Sequence, residues 1–143
     1  MITTQRLVLR RPKVEDAPLL THFIQSNKSY FEKWEPIRNP SFYTNESQLN
    51  RIIESLKEVN QVRFYIFRKD EPHQIIGEIG LSNIVRGVFQ NCNIAYKLAE
   101  EETGQGHMNE AISAVISYVF EELKLHRIEA NIIPGNKKSI HLI

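Results

Sequence analysis

The stretch "EETGQGHMNEA", residues 101–111, sets Gly104 and Gly106 on either side of Gln105 at the mouth of a segment with helical spacing. A helix begins with backbone N–H groups that have no intrahelical partner, and the aligned peptide dipoles make that end electropositive, so an anion is its natural occupant. Glycine on the approach carries no Cβ and lets the backbone come close to a bulky phosphate. The same two glycines also suit an ordinary turn before a helix, and their spacing alone leaves both readings open. Two familiar phosphate loops are excluded: no Gly-Lys-Ser/Thr follows, and the three-glycine dinucleotide pattern is missing. Other reactive side chains offer less. His22, His73, His107, His126 and His141 lack the spacing and companion ligands of a metal site, so no metal is expected. Cys92 sits among strand residues and reads as a small buried side chain rather than a nucleophile.

Several elements must position that loop. "TQRLVLRRP" has an apolar Leu7-Val8-Leu9 centre and stops at Pro12, which suits a short strand. Residues 14–31 turn to helical spacing through Leu19, Leu20, Phe23 and Ile24. Thr44 and Asn45 can cap a second helix whose apolar positions are Leu49, Ile52, Ile53, Leu56 and Val59. Strands follow in "RFYIFRK", in "QIIGEIGLSNI" after the turn chemistry of "DEPH", and in "NCNIAYKLA". In the middle one Ile75, Ile79 and Leu81 alternate against Glu78 and Ser82; in the last, Cys92, Ile94, Tyr96 and Leu98 share a side. Residues 109–123 carry an amphipathic stripe of Ile112, Val115, Ile116, Val119 and Phe120. "HRIEANII" is a further strand, Pro134-Gly135-Asn136 a turn, and "KKSIHLI" the start of one more helix. The order predicts an α/β fold, a mixed, mostly antiparallel central sheet flanked by helices, with the glycines at a strand-to-helix junction.

Composition bounds the rest. The chain has 143 residues, 41% hydrophobic and 24% charged, which fits one domain with one core. With 18 basic against 17 acidic side chains, no overall field draws it to nucleic acid or to a membrane. No apolar run approaches the roughly 20 residues of a membrane span, and the first residues lack a signal-peptide core. The expected setting is the cytoplasm.

"YKLAEEETGQGHMNEA" resembles motif A of the GNAT superfamily of acyl-CoA N-acyltransferases, which reads Arg or Gln, two residues, Gly, one residue, Gly or Ala. Gly106 takes the glycine position; Thr103 and Met108 stand where the pattern has Arg/Gln and Gly/Ala. The Gly-Gln-Gly-x-Met run with its Glu-Ala pair is similar to the ribosomal-protein-alanine N-acetyltransferase branch. "TQRLVLRRPKVEDA", "IVRGVFQNCNIAYKL" and "LHRIEANIIPGNKKS" extend that similarity over essentially the whole chain.

The resemblance implies a GNAT fold and acetyl-CoA as co-substrate. Two splayed strands grip the pantetheine like an added strand at Tyr96, Lys97 and Leu98. The pyrophosphate meets the amides of Gly104, Gln105, Gly106, His107, Met108 and Asn109, and Asn136 binds near the pantetheine arm. The Lys137-Lys138 pair either meets the 3′-phosphate of coenzyme A or is simply solvated. Tyr30, Phe31 and Trp34 lie near the acceptor cleft in such relatives, or pack the first helices together. The chemistry needs a neutral amine and a proton for the leaving thiolate. Relatives place a tyrosine seven residues after the asparagine, a position filled here by Ile143, so Ser139 is the candidate acid, against a helix-start serine bonding backbone. Glu78 is the candidate base, against a solvated strand glutamate.

The implied function is transfer of acetyl to an N-terminal α-amino group, the alanine of a ribosomal protein. A small amine or antibiotic as acceptor, or a non-catalytic protein that binds coenzyme A or the ribosome, is the alternative. Measured against the resemblance, residues 1–143 form a single acetyltransferase domain that is C-terminally incomplete. Its open sheet edge could be covered by strand exchange in a homodimer.

Overall fold

The computed structural model describes residues 1–87 and 90–130. In chain order the elements are β1 (Ile2–Thr3), β2 (Leu7–Arg10), α1 (Ala17–Ser26), α2 (Lys28–Phe31), α3 (Asn45–Lys57), β3 (Val62–Arg68), β4 (Glu71–Val85), β5 (Asn91–Leu98), α4 (His107–Glu121) and β6 (Arg127–Ala130). Short 3-10 turns at Val14–Asp16, Pro40–Tyr43 and Glu100–Glu102 join them. The six strands lie side by side in sequence order. Neighbours from β1 to β5 run antiparallel, and β6 runs parallel to β5 after the α4 crossover.

Both faces of the sheet are covered, which explains why β3 is apolar on both sides. On one face Ala111, Ile112, Val115 and Val119 of α4 pack on Leu7, Leu9, Phe64, Ile66, Ile79, Leu81, Cys92 and Ile94. On the other, Leu20, Phe23 and Ile24 of α1 and Ile52 of α3 pack on Tyr65, Phe67 and Ile75. Fully burying one such aliphatic side chain contributes about 1.5–3 kcal/mol. No helix among the described residues is long and apolar enough to cross a membrane.

Several expectations change in the structure. Residues 14–31 are not one helix: Asn27 separates α1 from α2, donating from Nδ2 to the Phe23 carbonyl at 2.8 Å and accepting the Glu100 amide at 2.9 Å. An asparagine side chain that bonds backbone competes with the helix ladder, and here it also ties the break to the turn after β5. The turn expected over "DEPH" is confined to Lys69 and Asp70, because Glu71 to His73 already belong to β4. Ile75 does not share a face with Ile79 and Leu81: Ile66 pairs Gly77 while Phe67 pairs Ile75, so the bulge at Ile76 reverses the alternation. α3 ends at Lys57, leaving Leu56 and Val59 exposed, and Phe120 is exposed on α4. The two-residue β1 has no counterpart in the sequence expectation. The turn at residues 134–136 and the last predicted helix lie outside the described residues.

Candidate functional site

β5 carries the chain from a polar cavity into the glycine loop. Gly104 and Gly106 both adopt left-handed backbone, with φ of +78° and +81°. A Cβ there would be strained by roughly 1–2 kcal/mol, which is why glycine holds both positions. At Gly104 a Cβ would meet nothing within 4 Å, so the requirement is handedness rather than crowding and the surface over the loop stays open. Gly106 is the N-cap of α4 and brings no side-chain acceptor to its first-turn amides. Gln105 reaches back to the Glu101 carbonyl at 3.1 Å and closes the loop on itself. This donor set, with bare glycines and no competing cap, fits a phosphate.

The other expected loop residues divide by direction. His107 is buried, with Nδ1 lacking a hydrogen-bond partner and 3.8 Å from Glu102 Oε2, so only its backbone N–H is available to a ligand. Met108 packs its side chain against the core, whereas Asn109 is exposed. α4 therefore begins two residues before the expected Asn109, immediately after Gly106.

A cavity of about 210 Å³ is lined by Glu35, Arg63, Glu78, Ser82, Tyr96 and Lys97, among others. Glu78 is only 5% exposed, which removes the reading of a solvated strand glutamate. Its cross-strand neighbours are Tyr65 and Lys97. Its carboxylate lies 3.6 Å from Lys97 Nζ and 3.5 Å from Arg63 Nη1, and Oε2 has no hydrogen-bond partner. Burial pushes the Glu78 carboxyl up, but Lys97, Arg63 and Arg51 together outweigh it and hold the group below its usual range. A buried carboxylate kept ionised, with one oxygen unsatisfied, has an unfilled demand for a donor. Burial and the Glu78 charge raise the Tyr65 phenol, which stays neutral.

Lys97 does more than the backbone role expected of it. Its Nζ bridges Glu35 at 3.3 Å and Glu78, and sits 4.9 Å from the Phe31 ring centroid. Phe31 is buried in the core behind Lys97, and Tyr30 packs edge-on against Trp34 at 4.6 Å. Tyr96 is half-buried in the wall, and Leu98 is buried beneath it. The described pairing of β6 ends with Ala130 opposite Ile94. Tyr96, Lys97 and Leu98 lie beyond that point, and residues 131–143 are outside the described residues. Asn136, Lys137, Lys138 and Ser139 also lie outside them.

Glu35 and Arg63 were missed by reading the sequence. Nothing local marks Glu35 between Trp34 and Pro36, and Arg63 reads as an edge charge until β3 is registered against Gly80. Cys92 is buried and free, and burial pushes its thiol up, as suits a core residue. No group of three potential metal ligands occurs among the described residues.

Residues 6–143 match the sequence profile of the acetyltransferase (GNAT) domain. The chain is 37% identical over 99% of its length to the [ribosomal protein uS5]-alanine N-acetyltransferase of Escherichia coli, 74% of which it spans. Among solved structures, the ribosomal-protein-S5-alanine acetyltransferase of Vibrio fischeri superposes with a TM-score of 0.87 at 31% identity, covering 98% of this chain and 78% of that one. Mycobacterium smegmatis RimJ, solved with a CoA disulfide, shares the fold at a TM-score of 0.86 and 23% identity, over 95% of this chain and 66% of that one.

Proposed function

The chain belongs to the acetyltransferase (GNAT) domain family and is an N-acetyltransferase, and from that premise we propose that it acetylates the N-terminal alanine of a ribosomal protein, using acetyl-CoA. In this reading residues 1–143 act as one domain in the cytoplasm. The observation that carries it is the buried, ionised Glu78 of β4, which faces Lys97 in a cavity shared with β5, the strand that leads toward the open Gly104–Gln105–Gly106 loop.

The loop amides and Asn136 would hold the pyrophosphate and pantetheine, and the donor supplies an acetyl thioester. The acceptor arrives as an ammonium with a pKa of roughly 8, so a sizeable fraction is already neutral near that pH. Glu78, ionised and short of a donor on Oε2, binds that ammonium and takes its proton directly or through a water. Arg63 and Lys97 hold Glu78 below the usual carboxylate range, so it is a weak base that releases the proton to solvent and acts chiefly by binding and orienting the amine. The neutral amine nitrogen then forms the amide bond as the carbon–sulfur bond breaks; it gives up its second proton to solvent through Glu78, and the leaving thiolate takes a proton, for which Ser139, reprotonated from solvent, is the candidate donor. Backbone N–H groups of the site would stabilise the oxygen charge, and the remaining acceleration comes from positioning.

The test is thiol release and peptide mass with acetyl-CoA and a peptide beginning with alanine. Acetylation at the α-amine, absent for an N-terminally blocked peptide, is expected. Turnover of small amines alone would replace the protein acceptor with a metabolite. In a strain lacking the gene, unchanged acetylation of ribosomal protein N-termini would remove the proposed acceptor.

A further inference from the structure

Two segments far apart in sequence, residues 4–6 and 105–110, meet at Arg6. Its Nε donates to Glu110 Oε1 at 2.8 Å and its backbone N–H to Glu110 Oε2 at 2.8 Å, across 104 positions of sequence. The Thr4 hydroxyl donates to the same Oε2. The other arm, Nη1, donates to the Gln105 carbonyl at 2.9 Å, and Nη2 lies 3.3 Å from where a Cβ on Gly106 would stand. Glu110 is in the first turn of α4, with its N–H on the Gly106 carbonyl at 3.1 Å.

This arrangement answers two problems of an anion-binding helix start. An unpaired glutamate in the first turn would repel a pyrophosphate, and Arg6 cancels that charge with a two-point contact. In a trans peptide the C=O and N–H of one unit point in opposite directions, so fixing the Gln105 carbonyl on Arg6 turns the Gly106 N–H to the other side of the loop. We propose that Arg6, with Thr4 and Glu110, is a positioning clamp that presets the loop amides for the pyrophosphate of the acetyl donor. The inference rests on the loop being the pyrophosphate site. Arg6 acts through Gln105 and Glu110, so its effect falls on donor affinity rather than on acetyl transfer.

The test compares acetyl-CoA with S-acetyl-pantetheine, a donor without the pyrophosphate, in the parent, Arg6→Ala and Glu110→Gln proteins. Arg6→Ala is expected to raise KM for acetyl-CoA about 10- to 30-fold, from losing hydrogen bonds to a charged group. KM for S-acetyl-pantetheine and kcat at saturation should change by less than about twofold. Glu110→Gln, which keeps the side-chain size, should raise the acetyl-CoA KM by roughly 3- to 10-fold. If Arg6→Ala does not fold, Arg6→Lys, which keeps the cation but not the fork, takes its place with the same signature. Equal losses with both donors would make Arg6 a general structural residue, and unchanged KM would remove the clamp. A parent that uses the two donors equally well has no pyrophosphate site in the loop, and that reading then falls with the clamp.

Discussion

Two helix starts in this molecule are built in opposite ways. α3 is closed by its own sequence: Thr44, in extended backbone, accepts the Ser47 amide on Oγ1 at 3.2 Å, and Glu46 adds a negative charge to the first turn. α4 starts from Gly106 in left-handed backbone with no side-chain cap, and its nearest support comes from Arg6 on the far end of the chain. A capped end has spent its donors on the fold. An uncapped end braced from outside keeps them for a ligand, at a cost in local stability that the surrounding core must absorb.

The largest effect should come from abolishing that difference. Gly106→Glu starts a side chain 3.3 Å from Arg6 Nη2, which disturbs that brace, and adds a negative charge to the loop proposed for the pyrophosphate; two like charges about 4 Å apart near a surface repel by roughly 4 kcal/mol at most. An acetyl-CoA affinity loss of about 100-fold or more is expected, read by calorimetry on protein shown to be folded. Next, Glu78→Gln separates chemistry from binding. kcat should fall about 100-fold, within the range of lost acid–base catalysis, while donor affinity changes little. In the parent, activity should rise with pH toward the amine pKa of roughly 8, because Glu78 is already ionised at neutral pH.

Acid sharpens the contrast further. Burial raises the Glu110 carboxyl, but hydrogen bonds from Thr4 and Arg6 and the Arg6 charge outweigh it and bring the group down to about 2 from an ordinary 4.5. A carboxyl lowered by folding contributes stability above its unfolded pKa and loses it as pH falls through the folded value. The parent should therefore lose more stability than Glu110→Gln between pH 4.5 and 2, measured by denaturant unfolding. The smallest effect is at the other helix. Thr44→Ala should cost about 1 kcal/mol of stability and leave acetyl-CoA affinity unchanged.

The sheet and its covering helices were legible because their signals are local: the stripe on α4, the apolar β3 and the Thr44 cap each declare themselves within a few residues. The glycine loop was legible as an anion site in kind, and the resemblance named its ligand. What failed depends on register and distance. A bulge at Ile76 reverses the alternation of β4, and a side chain at Asn27 splits a helical pattern; neither follows from periodicity. Glu78 is a candidate base in the sequence, but its burial and its ion pairs with Arg63 and Lys97 arise only when three strands are set side by side. Arg6 and Glu110 are both ordinary charged residues in the sequence, and only the fold brings them together.

The central claim, that α4 is left uncapped to receive the acetyl donor, is tested most directly by titrating acetyl-CoA into the parent, Gly106→Glu and Thr44→Ala proteins by calorimetry. The account predicts saturable binding by the parent and by Thr44→Ala, and loss of it in a folded Gly106→Glu protein. Undiminished binding by Gly106→Glu, or no binding by a folded parent, would contradict it.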